Sequence, residues 1–159
     1  MINDREFLHG AAILRLINYG DRITITHARE IHPSLYLVEN ERTQSAIIFK
    51  VSTKPTSAWS FTLSSQEESA LNTLHRQHLG FSVFMALVCH KDGICCIAAD
   101  RLRSVLYRDL EIGGQHISVS RRPRGSYHVS GPGRQQMAQS VPQTDWPGVF
   151  LSSQNSSHE

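Results

Sequence analysis

Residue types suited to handling phosphate fall in two places in this chain. The first runs from Glu39 to Lys54, where one acid, Glu39, precedes two lysines, Lys50 and Lys54. A carboxylate holds a hard divalent cation such as Mg²⁺ or Mn²⁺ through oxygen, and a neighbouring ammonium helps to activate water or to neutralise a phosphoryl oxygen. The second runs from His116 to Arg134 and carries Arg121, Arg122, Arg124 and Arg134, with Tyr127 among hydroxyls and glycines. Guanidinium forks pair bidentately with phosphate oxygens, and an exposed ring gives a base a surface to stack on. No acid occurs between Glu111 and Asp145, so this second stretch is locally basic although the formal net charge is only +2. The overall charge is too small to argue for a polyanion, and only its distribution speaks for nucleic acid.

Other reactive residues lead away from chemistry. Cys89-His90 is followed after four residues by Cys95-Cys96. Adjacent strand residues point to opposite faces, so the set does not converge on zinc, and buried, reduced thiols are expected. Cys89 lies in an apolar run that raises a thiol pKa, which argues against a nucleophile. His27 and His32 flank one loop and His75 and His78 share one helix, but no His-Glu-x-x-His arrangement is present. Gly131-Pro-Gly lacks the spacing and the lysine of a phosphate-binding loop. No metal site is expected from these residues.

The elements that must position the two basic segments follow from periodicity and capping. Asn3 with Glu6 reads as a capping box, and Phe7, Ala11, Leu14 and Ile17, supported by Ile13 and Leu16, repeat at helical spacing as far as Gly20. Strands are expected at Ile23–Thr26, Leu35–Glu39 and Ser45–Ser52, the last apolar on both faces as a central strand should be. A brief strand over Trp59–Leu63 precedes a second helix, capped by Ser64 with Glu67 or Ser65 with Glu68, that buries Ala70, Leu71 and Leu74. Phe81–Cys89 and Ile94–Ile97 read as a hairpin turned by Asp92-Gly93, and Asp100 is expected to cap a short helix. Two late strands, His116–Ser120 and Tyr127–Ser130, frame the arginines.

Residues 1–130 are expected to form a single α/β domain, and residues 131–159 a Gly/Pro/Ser/Gln-rich extension ordered only in part, docked through Trp146, Val149, Phe150 and Leu151. The longest apolar run, Phe81 to Cys89, has about nine residues, against roughly 20 for a membrane span. The amino terminus carries acids at once and lacks a secretory pattern, so a cytoplasmic protein is expected, without a membrane partner.

Helix, three strands, helix, strand is also the order of the PD-(D/E)XK nuclease core, and residues 3–90 resemble it in layout. The resemblance implies a restriction-endonuclease-like fold, a mixed central sheet with an αβββαβ core, here followed by a carboxy-terminal hairpin. It also implies an acid at the start of the second strand and an acid-x-Lys on the third. At the matching places this chain has Pro33-Ser34 and Phe49-Lys50-Val51-Ser52. The metal-holding acids are missing, so the expectation is a nucleic-acid-binding or accessory domain without catalysis and without a cofactor. Arg121, Arg122, Arg124, Tyr127 and Arg134 are the expected contacts. Two alternatives stand beside it: a Mg²⁺- or Mn²⁺-dependent nuclease with a rearranged site of Glu39 with Lys50 or Lys54, and a protein-interaction subunit without nucleic acid. Segments such as Lys50-Val-Ser-Thr-Lys and His90-Lys-Asp-Gly-Ile-Cys-Cys-Ile also resemble uncharacterised bacterial proteins, which suggests bacterial origin and no mechanism.

Overall fold

A computed structural model describes residues 1–20 and 22–152. In chain order the elements are α1 (Asp4–Ile17), β1 (Thr24–His27), β2 (Leu35–Glu39), β3 (Gln44–Ser52), β4 (Trp59–Thr62) and α2 (Ser65–Gln77). They continue with β5 (Ser82–Cys89), β6 (Gly93–Ala98), α3 (Ala99–Arg103), β7 (His116–Ser120), β8 (His128–Ser130) and α4 (Asp145–Leu151). Of the stretch Ser152–Glu159, which the sequence leaves free in solvent, Ser152 N–H donates to Gly148 O at 3.0 Å, and residues 153–159 lie outside the described residues.

Five strands form a mixed sheet in the order β1-β2-β3-β5-β6. β1, β2 and β3 make an antiparallel meander, and β5 then pairs parallel to β3, with β4 and α2 in the connection. β5 turns back antiparallel into β6. The late strands β7 and β8 form the antiparallel hairpin that the sequence suggests, but it is not a mere appendage: β4 pairs with β7 and makes it a second, three-stranded sheet.

The apolar run of β3 is explained by cover on both faces. Ala46 and Ile48 pack with Leu35, Met85, Leu87, α2, α3 and the small sheet, whereas Ile47 and Phe49 pack with α1 and α4. The three cysteines are free and buried, Cys89 and Cys95 in the first layer and Cys96 in the second. Burial pushes all three thiols up, as for inert structural cysteines.

Both capping boxes form, Asn3 with Glu6 and Ser64 with Glu67. Two local expectations are corrected. α3 is preceded by Ala98 with no side-chain cap, so Asp100 lies inside the helix rather than ahead of it. The inner face of α1 is Leu8, Ala12 and Leu16; Phe7, Leu14 and Ile17 are exposed. The carboxy-terminal segment docks as the sequence suggests: Trp146, Phe150 and Leu151 are buried on this chain's own α1 and β6, with Trp146 Nε1 donating to Ala12 O at 3.2 Å.

Residues after β8 are held by bridges from Tyr127 to Val141 and from Ser130 to Gln136. Gly131 is needed for this return, because a Cβ there would run into the carbonyl oxygen of Val105. Gly131→Ala should therefore cost about 3 kcal/mol of stability, since the obstacle is backbone and not a movable side chain. Urea unfolding measures it, and a loss within about 0.5 kcal/mol of zero would show that the segment can shift away.

Candidate nucleic-acid interface

β2 runs antiparallel to β3, and β5 runs parallel to it. The start of β2, the end of β3 and the β5–β6 turn therefore lie at one end of the sheet. His90 N–H donates to Ser52 O at 3.1 Å, closing the end of β3 onto that turn. The carboxyl ends of the parallel strands β3 and β5 lie here, and open α/β sheets bind ligands outside the carboxyl ends of their strands.

A cleft of about 300 Å³ opens there, walled by Arg5, Glu6 and His9 of α1, His32 and Ser34 before β2, Lys50 of β3 and Glu67 of α2. Lys50 Nζ donates to Glu67 Oε1 at 2.7 Å, and His32 Nε2 lies 2.7 Å from Glu67 Oε2. The tautomer follows from the partners. Ser34 N–H donates to His32 Nδ1 at 2.9 Å, so Nδ1 is the acceptor and Nε2 carries the proton given to Glu67. Ser64 N–H adds a third donor to the carboxylate, at 2.8 Å from Oε1. Burial pushes the Glu67 carboxyl up, but Lys50, Ser64 and His32 outweigh it and hold the group at about 2.

The sequence marks Glu67 only as a helix cap, and the structure makes it the acid facing Lys50. Spacing gives no signal for this, because Lys50 and His32 lie 17 and 35 residues away. Glu39, the acid the sequence suggests for that place, is at the other end of β2: it pairs with Gln44, six residues before Lys50 on β3. That is about 20 Å along the strand, so the structure does not bring Glu39 and Lys50 together. Lys54 lies just past the end of β3, and its Nζ donates to Ala58 O at 2.6 Å.

His9 stands against Phe49 with ring centroids 4.6 Å apart, and its Nε2 is buried without a hydrogen-bond partner among the described residues. Burial, with His27 nearby, lowers its pKa, so its imidazole adds no fixed charge to the cleft near neutrality.

The donor set does not suit a divalent cation. An ionised carboxylate offers about four acceptor positions, and three of Glu67's are taken by protein donors. Among the described residues no three His, Cys, Asp or Glu side chains gather as metal ligands. A cation would have to displace Lys50 from Glu67, and the other acid of the cleft, Glu6, is an exposed helix-cap residue that already accepts from Asn3 N–H at 3.3 Å; two carboxylates so engaged are a poor cage for a hard ion that sheds water reluctantly.

The arginine segment reaches the same end of the molecule. Arg121 follows β7, its backbone N–H donates to Ser57 Oγ at 3.2 Å, and its guanidinium grips Asp92 of the β5–β6 turn with Nε and Nη2 at 2.8 and 2.7 Å. Tyr127 OH donates to the same carboxylate at 2.9 Å. The Arg121 hydrogen bonds, set against partial burial, and the Tyr127 hydroxyl leave the Asp92 carboxyl below the usual carboxylate range. Asp92-Gly93 is thus more than a turn: its acid ties the two sheets together.

Two expected contacts change role. Arg121 is an internal ion-pair partner, and Tyr127 is fully buried, edge-on to Trp59 at 6.3 Å, so no base stacks on it. Arg122 and Arg124 remain exposed on a turn closed by Gly125 N–H to Arg122 O at 2.9 Å, with Arg124 at φ 67°. Neither side chain has a partner among the described residues. Arg122 also lines a shallow cavity of about 540 Å³ with Ser57, Ser120, His128 and Gln136. Arg134 is exposed in the turn after β8, at the opposite end of the small sheet from Arg122 and Arg124.

Exposed Lys54 and Lys91, half-buried Lys50 and the free pair Arg122 and Arg124 therefore share one end of the fold. The acids that reach it from α2 and the β5–β6 turn, Glu67 and Asp92, are matched to Lys50 and Arg121. No helix among the described residues is long and apolar enough to cross a membrane. No family model matches the chain, and no curated protein matches it.

Proposed function

We propose that this chain is a nucleic-acid-binding domain built on a restriction-endonuclease-like core that does not cleave its ligand. The observation that carries the reading is the common placement of Lys54, Lys91, Arg122 and Arg124 at the sheet end that also holds the Lys50–Glu67 cleft. The meander followed by a crossover into a parallel strand has the order of the PD-(D/E)XK core, which supports the reading further. Cations without counterions beside a sheet end grip a sugar-phosphate chain by releasing its condensed counterions, and this needs no carboxylate and no metal. The absence of catalysis in the proposal rests on Glu67 being occupied by three donors.

Fluorescence anisotropy with single- and double-stranded 20-mers of DNA and RNA tests it. Binding in the micromolar range is expected near 50 mM salt, falling steeply by 200 mM. Arg122→Ala with Arg124→Ala should weaken binding roughly tenfold or more and lower the slope of log K against log salt by about 1.8 on duplex DNA, since each lost phosphate contact removes about 0.9. Arg121 is left intact, because its removal would disturb the fold through Asp92. An unchanged slope, or no binding to any of the four ligands at low salt, would refute the proposal.

A further inference from the structure

We infer that the outer face of α1 is the two-fold interface of a homodimer. A helix lying on a sheet should be apolar on one side, but α1 is apolar on two. Leu8, Ala12 and Leu16 face the sheet, whereas Phe7, Leu14 and Ile17 on the far side are 60%, 57% and 53% exposed. Between these lie Gly10 and Ala11, and a Cβ added at Gly10 would meet nothing within 4 Å. The outer stripe is thus large at both ends and small and open at its centre, which lets a second helix approach closely there. A groove of about 200 Å³ between α1 and the β5–β6 turn adjoins the stripe, with Phe7, Ala11 and Ile94 on its apolar side and Arg15, His90 and Lys91 on its polar side.

The stripe is self-complementary. An antiparallel copy crossing at Gly10–Ala11 sets Phe7 against the partner's Leu14 and Gly10 against the partner's Ala11, and each contact occurs twice, as a two-fold requires. The charges fit the same register. At 100° per residue Asp4, Ala11 and Arg15 fall along one edge of the stripe. The two-fold keeps that edge on the same side in both copies, so Arg15 comes opposite position 6 of the partner, about 3 Å along the axis from the partner's Asp4. Neither Asp4 nor Arg15 has a partner within the described chain. Phe7, Leu14 and Ile17 bare roughly 350 Å² of apolar surface, comparable to the largest patch on an ordinary monomer. That is below the ~800 Å² per partner of a standard interface, so a weak, concentration-dependent dimer is expected.

Sedimentation velocity from about 1 to about 200 μM tests this. The expected result is a concentration-dependent dimer that Leu14→Glu reduces to monomer, with circular dichroism unchanged because Leu14 lies outside the core. Asp4→Arg alone and Arg15→Asp alone should each weaken the dimer at least fivefold, and the two together should restore it. A wild-type chain monomeric at 200 μM, a dimer indifferent to Leu14→Glu, or single charge changes without rescue would each overturn the inference. So would a monomer that co-floats with phosphatidylcholine vesicles, which would assign the face to lipid.

Discussion

Glu67→Gln should lower the stability of this protein by about 3 kcal/mol near neutral pH. The carboxylate is buried and accepts from Lys50, His32 and Ser64 at once. The amide removes the charge that offsets Lys50, and breaking one partner of a buried pair typically costs about 3–5 kcal/mol. Linkage gives the same size: a carboxyl moved from its ordinary 4.5 down to about 2, at about 1.4 kcal/mol per unit, corresponds to about 3 kcal/mol. The sign follows from the depressed folded value. The stabilisation is fully present above about pH 4.5 and is lost as the pH falls toward 2; Asp92, also depressed, acts in the same direction. Thermal melts should show a fall of roughly 6–12 °C for the variant at pH 7, and a difference that vanishes near pH 2. A change under about 1 kcal/mol at pH 7, or one independent of pH, would mean that Glu67 is not the acid balancing Lys50.

Tyr127→Ala should be at least as costly, about 3–5 kcal/mol, because it empties a fully buried aromatic site between Trp59 and the β5–β6 turn. It also leaves Asp92 with one donor fewer. Tyr127→Phe removes only the hydroxyl and should cost about 1 kcal/mol. The pair separates two roles for this residue. If Tyr127 stacked on a base, the Phe variant would keep affinity and the Ala variant would lose it even where both are folded. As a core residue, Tyr127 should leave nucleic-acid affinity within about twofold in either folded variant, measured by anisotropy below the melting temperature. A selective loss of affinity in Tyr127→Ala at temperatures where it remains folded would return the ring to the binding surface.

The parts of the fold legible in the sequence are those set by neighbours along the chain. Asn3 with Glu6 and Ser64 with Glu67 mark both long helices, because a capping box is complete within four residues. β3 reads as central from its unbroken apolar run, and Asp92-Gly93 marks a turn. What escaped depends on contacts far apart in sequence. Asp92 meets Arg121 across 29 residues and Tyr127 across 35, so the acid that neutralises one arginine of the segment is not visible beside it. Glu67 was legible as a cap and illegible as the counterion of Lys50, since one carboxylate does both.

Face was harder to read than element type. In α1 the sets 7, 11, 14 and 8, 12, 16 are both helical stripes, displaced by one residue, and periodicity alone does not say which one meets the sheet. The same one-residue ambiguity decides Tyr127: on a strand the neighbouring position points the other way, toward solvent where His128 is. Arg122 and Arg124 are exposed and unpaired among the described residues, whereas Arg121, one residue earlier, is tied to Asp92.

If one end of the five-stranded sheet receives a sugar-phosphate chain, backbone amide shift mapping with a 20-mer at low salt should locate it there. Perturbations are expected to concentrate on Lys50 to Lys54, Lys91 and Arg122 to Gly125, with Glu39 to Gln44 at the opposite end of the sheet unmoved. Shifts centred instead on Glu39 to Gln44, or on the cavity lined by Arg103, Tyr107 and Leu110, would contradict it.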